Sequence, residues 1–240
     1  MVRNKLMTVL LALALTSALP LIGAGCASDK KSPDPTGSRA DAARKKGEPR
    51  DNFEQSAADP PISADTRFAA GQLAESQGDV ARAMVQYRAA LKTDPNHKDA
   101  LFRLAALDTQ ARQFNEAIGL WQRYVQVTKQ SPEAYNDLAL CYEQAGKLEE
   151  AEQSYKAGIS RNPDNAACRA NYGLMLARAD RIDEAIAQLQ TVLTPAEVHY
   201  NLGSVFEQKG KTAEAKAYYR KALELDPKLV DARSRLAALK

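Results

Sequence analysis

The chain has 240 residues, a formal net charge of +3 and an apolar fraction of 45%. That apolar content excludes a wholly disordered chain, three cysteines are too few for a disulfide-stapled mini-fold, and the small net charge excludes a strongly basic nucleic-acid surface. The length allows one or two compact domains, or one elongated array.

Residues 1–25 have the pattern of an export signal. Arg3 and Lys5 form a basic start, and Leu6 to Gly25 carries no charge. The apolar length also suits a membrane-spanning helix, but Pro20 and the run Gly23-Ala24-Gly25 favour cleavage. Leu21-Ile22-Gly23-Ala24-Gly25-Cys26 resembles a bacterial lipobox, although Gly23 stands where the usual box has leucine. The resemblance implies that Cys26 is lipidated and the signal removed. With Ala27 rather than aspartate next, it also implies retention at the outer membrane. Cleavage near Gly25 without lipid would release a soluble periplasmic or secreted protein, and an uncleaved anchor would leave the rest on the same side of the membrane.

Residues 26–63 are expected to form a disordered tether. From Ala27 to Ser63 the segment holds five prolines, and its seven basic side chains balance seven acidic ones. Its only large apolar residues are Phe53 and Ile62. Such a segment cannot bury enough apolar surface to offset its ordering entropy. As a flexible coil it spans roughly 35 Å.

From Ala64 onward a pattern of small and large residues recurs. A small residue stands at Gly71, Ala105, Ala139, Gly173 and Gly203, and alanine at Ala83, Ala117, Ala151, Ala185 and Ala215. Four residues after each of these alanines come Tyr87, Trp121, Tyr155, Leu189 and Tyr219. Turn positions fall at Gly78, Arg112, Gly146, Asp180 and Gly210, three steps of 34 residues and one of 30. Closing prolines appear at Pro95, Pro163 and Pro227. In the last unit, a 3.6-residue period puts Val198, Leu202, Val205 and Phe206 on one helix face, and Ala215, Tyr219, Ala222 and Leu223 on the facing one. A hairpin this short cannot bury its own apolar face and needs copies beside it. The pattern predicts helical hairpins over 64–97, 98–131, 132–165, 166–195 and 196–229, with a capping helix over 230–240. Thr194 and Pro195 read as the N-cap and first helical residue of the fifth hairpin.

These positions resemble the tetratricopeptide repeat family over roughly Ala64 to Leu229. Asp108 departs from the pattern where other repeats carry Tyr142 and Phe206, and Lys129 replaces a closing proline. The resemblance implies an all-α, right-handed α-solenoid whose first helices line a concave groove. Residues five and nine places into each repeat then face that groove: Phe68, Gln72, Phe102, Ala106, Asn136, Leu140, Ala170, Leu174, Tyr200 and Ser204. Arg103, Asn171, Arg178 and Asn201 flank them. The apolar members suit a partner peptide or amphipathic helix. The basic clamp by which some family members hold a C-terminal carboxylate is absent at the matching positions.

The sequence holds no Gly-rich phosphate loop with lysine, no H-E-x-x-H and no G-x-S-x-G. No enzyme activity, cofactor, metal or small-molecule substrate is expected. His97, in the Pro95-Asn96-His97 turn, is expected in solvent, and His199 partly buried in packing. Cys141 and Cys168 sit seven places apart within successive repeats, about 10 Å of axial offset at 1.5 Å per residue. They read as buried free thiols. Repeat three is acidic, and Lys209–Lys240 has nine basic against four acidic side chains. The chain reads as a non-catalytic adaptor anchored in the cell envelope, capturing a protein partner in its groove and serving pilus-assembly, secretion or cell-wall complexes. The alternative is a structural or self-associating protein using its convex face or ends.

Overall fold

The computed structural model describes residues 62–239. The signal, Cys26 and all but the last two residues of the expected tether lie outside them, as does Lys240.

Among the described residues there are eleven α-helices and no strand. They are α1 (Ala64–Ser76), α2 (Val80–Thr93), α3 (Lys98–Gln110), α4 (Phe114–Val127), α5 (Pro132–Gln144), α6 (Leu148–Arg161), α7 (Ala166–Arg178), α8 (Ile182–Leu189), α9 (Pro195–Gln208), α10 (Thr212–Leu225) and α11 (Val230–Ala238). Consecutive pairs form five hairpins, and α11 closes the stack. The first helix of the fifth hairpin starts at Pro195 behind the Thr194 cap, as the sequence predicts. Thr194 accepts from the Glu197 backbone amide and the Glu197 carboxylate accepts from Thr194, a reciprocal cap. Ser63, Asp79, Ser131 and Asn165 cap α1, α2, α5 and α7 by the same side-chain-to-amide bond.

Each predicted turn residue ends its helix in the left-handed region. Gly78, Gly146 and Gly210 have φ of +78°, +76° and +71°, and Arg112 and Asp180 each have +60°. Glycine adopts this conformation without strain, whereas a side chain raises its cost by about 1 kcal/mol. The exit of the second hairpin takes a separate path. Lys129 and Gln130 both have positive φ, +55° and +60°. Proline, fixed near −65°, could not occupy that place, which accounts for the missing closing proline.

The alanines at the helix crossings are fully buried, and Tyr87, Tyr155, Leu189 and Tyr219 are 0% exposed beside them. A Cβ added at Gly203 would stand 2.7 Å from the Tyr219 ring, so close approach of the two helices is what glycine permits there. Repeat four is the short one: α8 has 8 residues where the other second helices have 14. The first helix α7 touches both α5 and α9 directly, whereas second helices pack chiefly on first helices. The stack therefore bends with the first helices on its inner side.

Candidate concave binding face

The inner face is built from the middle of the first helices. Phe68 is half-buried, its ring 5.5 Å from Tyr87 and 5.1 Å from His97. Phe102 leans edge-on against Trp121 at 5.4 Å and on Tyr124 at 5.5 Å. Tyr200 tilts on Tyr219 at 5.7 Å. Leu140 packs partly against the central cluster, and Gln72 and Arg178 are exposed. Ala106, Asn171 and Ser204 are intermediate. Each ring thus lies with one side on a second-helix aromatic and keeps part of its surface free.

Four expected groove residues are instead buried, among them Ala170, 8% exposed in the central cluster. Leu174 is 4% exposed within the central cluster, because α7 is contacted by both α5 and α9. Asn136, 8% exposed, accepts a 2.8 Å bond from Asn171 and so ties α5 to α7. Asn201, also 8% exposed, donates to the Glu197 carbonyl one turn back at 2.8 Å. His97 is likewise not a solvent residue. Its side chain is 9% exposed, Nδ1 accepts from the Ala100 amide as the cap of α3, and Nε2 lies 3.0 Å from Asp65. Proximity to Phe68 and the capping bond hold the ring against the stack. His199 is half-buried beside Tyr218, and burial lowers its pKa. Cys141 and Cys168 are buried and free; burial pushes the Cys168 thiol up to about 12.

Along the rim runs a polar ladder that the small-and-large pattern did not disclose. Tyr87 donates to Glu75 at 2.8 Å, and Arg103 from the next first helix pairs with the same carboxylate. Tyr155 donates to Glu143, which Arg178 reaches, and Tyr219 donates to Glu207, which faces Arg235 at 3.4 Å. The signal was available, since glutamate recurs twelve places into repeats one, three and five. Arg103 and Arg178 are therefore already paired within the stack. A further carboxylate, Asp137, lies half-buried on α5 beside Asn136. Burial pushes its pKa up to about 6, and nearby Glu133 adds to the rise while the Asn136 bond opposes it.

Models described as tetratricopeptide repeat match residues 37–97, 74–141, 132–165 and 196–229, which together span well over half of the chain. The chain belongs to the tetratricopeptide repeat family. Among curated relatives, the type IV pilus assembly protein PilF of Pseudomonas aeruginosa is 29% identical over 145 residues, 57% of this chain and 58% of that protein. Tetratricopeptide repeat protein 8 of Caenorhabditis elegans is 26% identical over 60% of this chain and 30% of its own length. The Protein CTR9 homolog of Arabidopsis thaliana is 28% identical over 44% of this chain and 10% of its own. The chain thus spans a tenth to about three fifths of the curated relatives it matches. Of solved structures, MamA is 25% identical with a TM-score of 0.56, covering 69% of this chain and 92% of MamA. YrrB, a tetratricopeptide repeat protein described as having an unusual peptide-binding site, is 19% identical with a TM-score of 0.53, covering 72% and 92%. These likenesses agree with the stacked hairpins seen here. Tetratricopeptide repeat arrays are in general non-catalytic scaffolds for protein–protein interaction, and this one has the architecture of that class.

Proposed function

We propose that this tetratricopeptide repeat protein is an envelope-anchored adaptor that binds a segment of a partner protein along its first helices. The observation that carries the proposal is the row of half-buried side chains Phe68, Phe102, Leu140 and Tyr200 on the inner side of the stack. Each is backed by buried core and keeps apolar surface free, as a site for a peptide or amphipathic helix requires. Gln72, Asn171 and Ser204 supply polar contacts among them, and Arg103 and Arg178 border the row. The anchor would be lipid on Cys26, outside the described residues, with the array exposed to the periplasm and the outer membrane favoured. The likeness to PilF over 57% of the chain supports pilus assembly as the process.

Phe102→Glu and Tyr200→Glu test the face. Each keeps the helical circular dichroism of the parent and removes the partner captured from solubilised membranes. Full capture by folded variants would place the partner elsewhere. Labelling with a palmitate analogue marks the parent and not Cys26→Ser; equal labelling of both would refute the anchor.

A second reading has one observation in its favour. Leu73 is 60% exposed, while Leu107, Cys141, Met175 and Val205 at the same repeat position are at most 6% exposed. Among the described residues, α1 therefore presents apolar surface of the kind used for end-to-end association. Sedimentation over a range of protein concentration separates the two, since a monomer throughout leaves only the adaptor.

A further inference from the structure

The outer side of the stack carries a feature that the concave face does not use. One first-helix side chain enters each cleft between successive second helices: Asp108, Tyr142, Leu176 and Phe206. In three clefts it fills the space. Gln122 of α4 donates to the Tyr142 hydroxyl at 2.9 Å, Leu176 is 1% exposed, and Phe206 stacks on Tyr218 at 5.1 Å. In the first cleft, between α2 and α4, the side chain is Asp108, and a cavity of about 500 Å³ opens there.

Two unfavourable choices meet at this cavity. Asp108 is 1% exposed and accepts one bond, from Arg88 to Oδ1 at 3.1 Å, although the Arg88 side chain is itself 50% exposed. A carboxylate has acceptor sites for several donors, so Oδ2 stands ready for another. Gly119 lines the same cavity from the interior of α4, where glycine weakens a helix, and a Cβ there would meet nothing within 4 Å. Neither choice is explained by packing within the chain. Leu91, Leu104 and Leu120 supply apolar walls. Around them Arg88, Lys92 and Arg123 outnumber the one further acid, Glu116, and Arg123 is held in place by donating to the Pro95 carbonyl.

We propose that this cleft is a second docking site, which takes a tyrosine side chain from an acidic segment of a partner protein. The ring packs on the three leucines, its hydroxyl donates to the free oxygen of Asp108, and neighbouring carboxylates of the partner pair with Lys92 and Arg123. Tyr142 is the template, a ring in the next cleft along with its hydroxyl hydrogen-bonded. A purely apolar ring would leave the second carboxylate oxygen without a donor, and a cationic side chain would meet three like charges at the rim. The site stands independently of the concave face.

The test is a titration of the ¹⁵N-labelled full chain with the synthetic peptide acetyl-Asp-Glu-Tyr-Asp-Glu-amide, followed by NMR. Saturable amide shifts centred on Leu104, Asp108, Gly119 and Leu120 at millimolar peptide are expected. Replacing the peptide's tyrosine by phenylalanine weakens binding roughly tenfold, the loss expected for a hydrogen bond to a charged group. Gly119→Leu fills the cavity and removes the shifts without lowering the melting temperature, and Asp108→Asn makes the two peptides bind more nearly alike. The proposal is overturned if no shifts appear at these residues, if the phenylalanine peptide binds equally well, if lysine flanks bind more tightly than acidic ones, or if folded Gly119→Leu binds undiminished.

Discussion

Asp137→Asn isolates the electrostatic cost of one carboxylate. The groups around Asp137 are Asn136 and Glu133, with Tyr124 and Cys168 nearby, and none is a cation. Burial moves its pKa from 3.8 to about 6, a rise of about two units worth about 1.4 kcal/mol each. Because the folded value lies above the unfolded one, the fold prefers the protonated form. The penalty is absent below about pH 4, grows as pH rises through about 6, and reaches about 3 kcal/mol at neutral pH. Asparagine keeps the shape and removes the charge; its weaker hydrogen bonding returns about 1 kcal/mol, which leaves a net gain of about 2 kcal/mol. An array of this size gains about 2–4 °C per kcal/mol. Thermal unfolding followed by circular dichroism should therefore show a rise of about 4–8 °C at neutral pH that disappears near pH 4. An equal shift at both pH values, or a lower melting temperature at neutral pH, refutes the reasoning.

Three further outcomes follow from geometry. Gly203→Leu forces a side chain into the Tyr219 ring, 2.7 Å from where the Cβ must stand, and should cost at least about 2 kcal/mol in chemical denaturation. Arg112→Gly relieves a left-handed residue with φ of +60° and should add about 0.5–1 kcal/mol, read as a higher denaturant midpoint with unchanged slope. Burial raises the pKa of both Cys141 and Cys168, so neither should react with iodoacetamide at mildly alkaline pH until the array unfolds. Peptide mapping distinguishes them from Cys26, and modification of the folded array would contradict their burial.

The hairpins were legible because close packing leaves a local record. Two helices meet only where both residues are small, so Gly71, Ala83 and their counterparts announce each crossing without reference to distant residues. The turn residues are equally local, since an abrupt helix end needs one left-handed residue, even where Arg112 or Asp180 supplies it. What escaped was set between repeats. Leu174 and Asn136 occupy the same places in their repeats as half-exposed Leu140 and Phe102, yet close neighbouring first helices bury them. His97 looked like a loop residue by sequence, but Asp65, 32 positions earlier, comes within 3.0 Å of it. Asp108 was visible as a departure from the pattern. The cavity it leaves depended on α2 and α4 standing apart.

The glutamate–tyrosine–arginine ladder fastens three joints of the stack. It spans repeat one to two through Glu75 and Arg103, repeat three to four through Glu143 and Arg178, and repeat five to the last helix through Glu207 and Arg235. Thr109 and Ala177 take the glutamate's place in repeats two and four, so the two intervening seams lack this fastening. Between repeats two and three Gln122 bonds to the Tyr142 hydroxyl, and between repeats four and five Asp180 pairs with Lys209 and Lys211. In a linear array, where strength is set seam by seam, each joint is thus closed by a polar tie of its own composition.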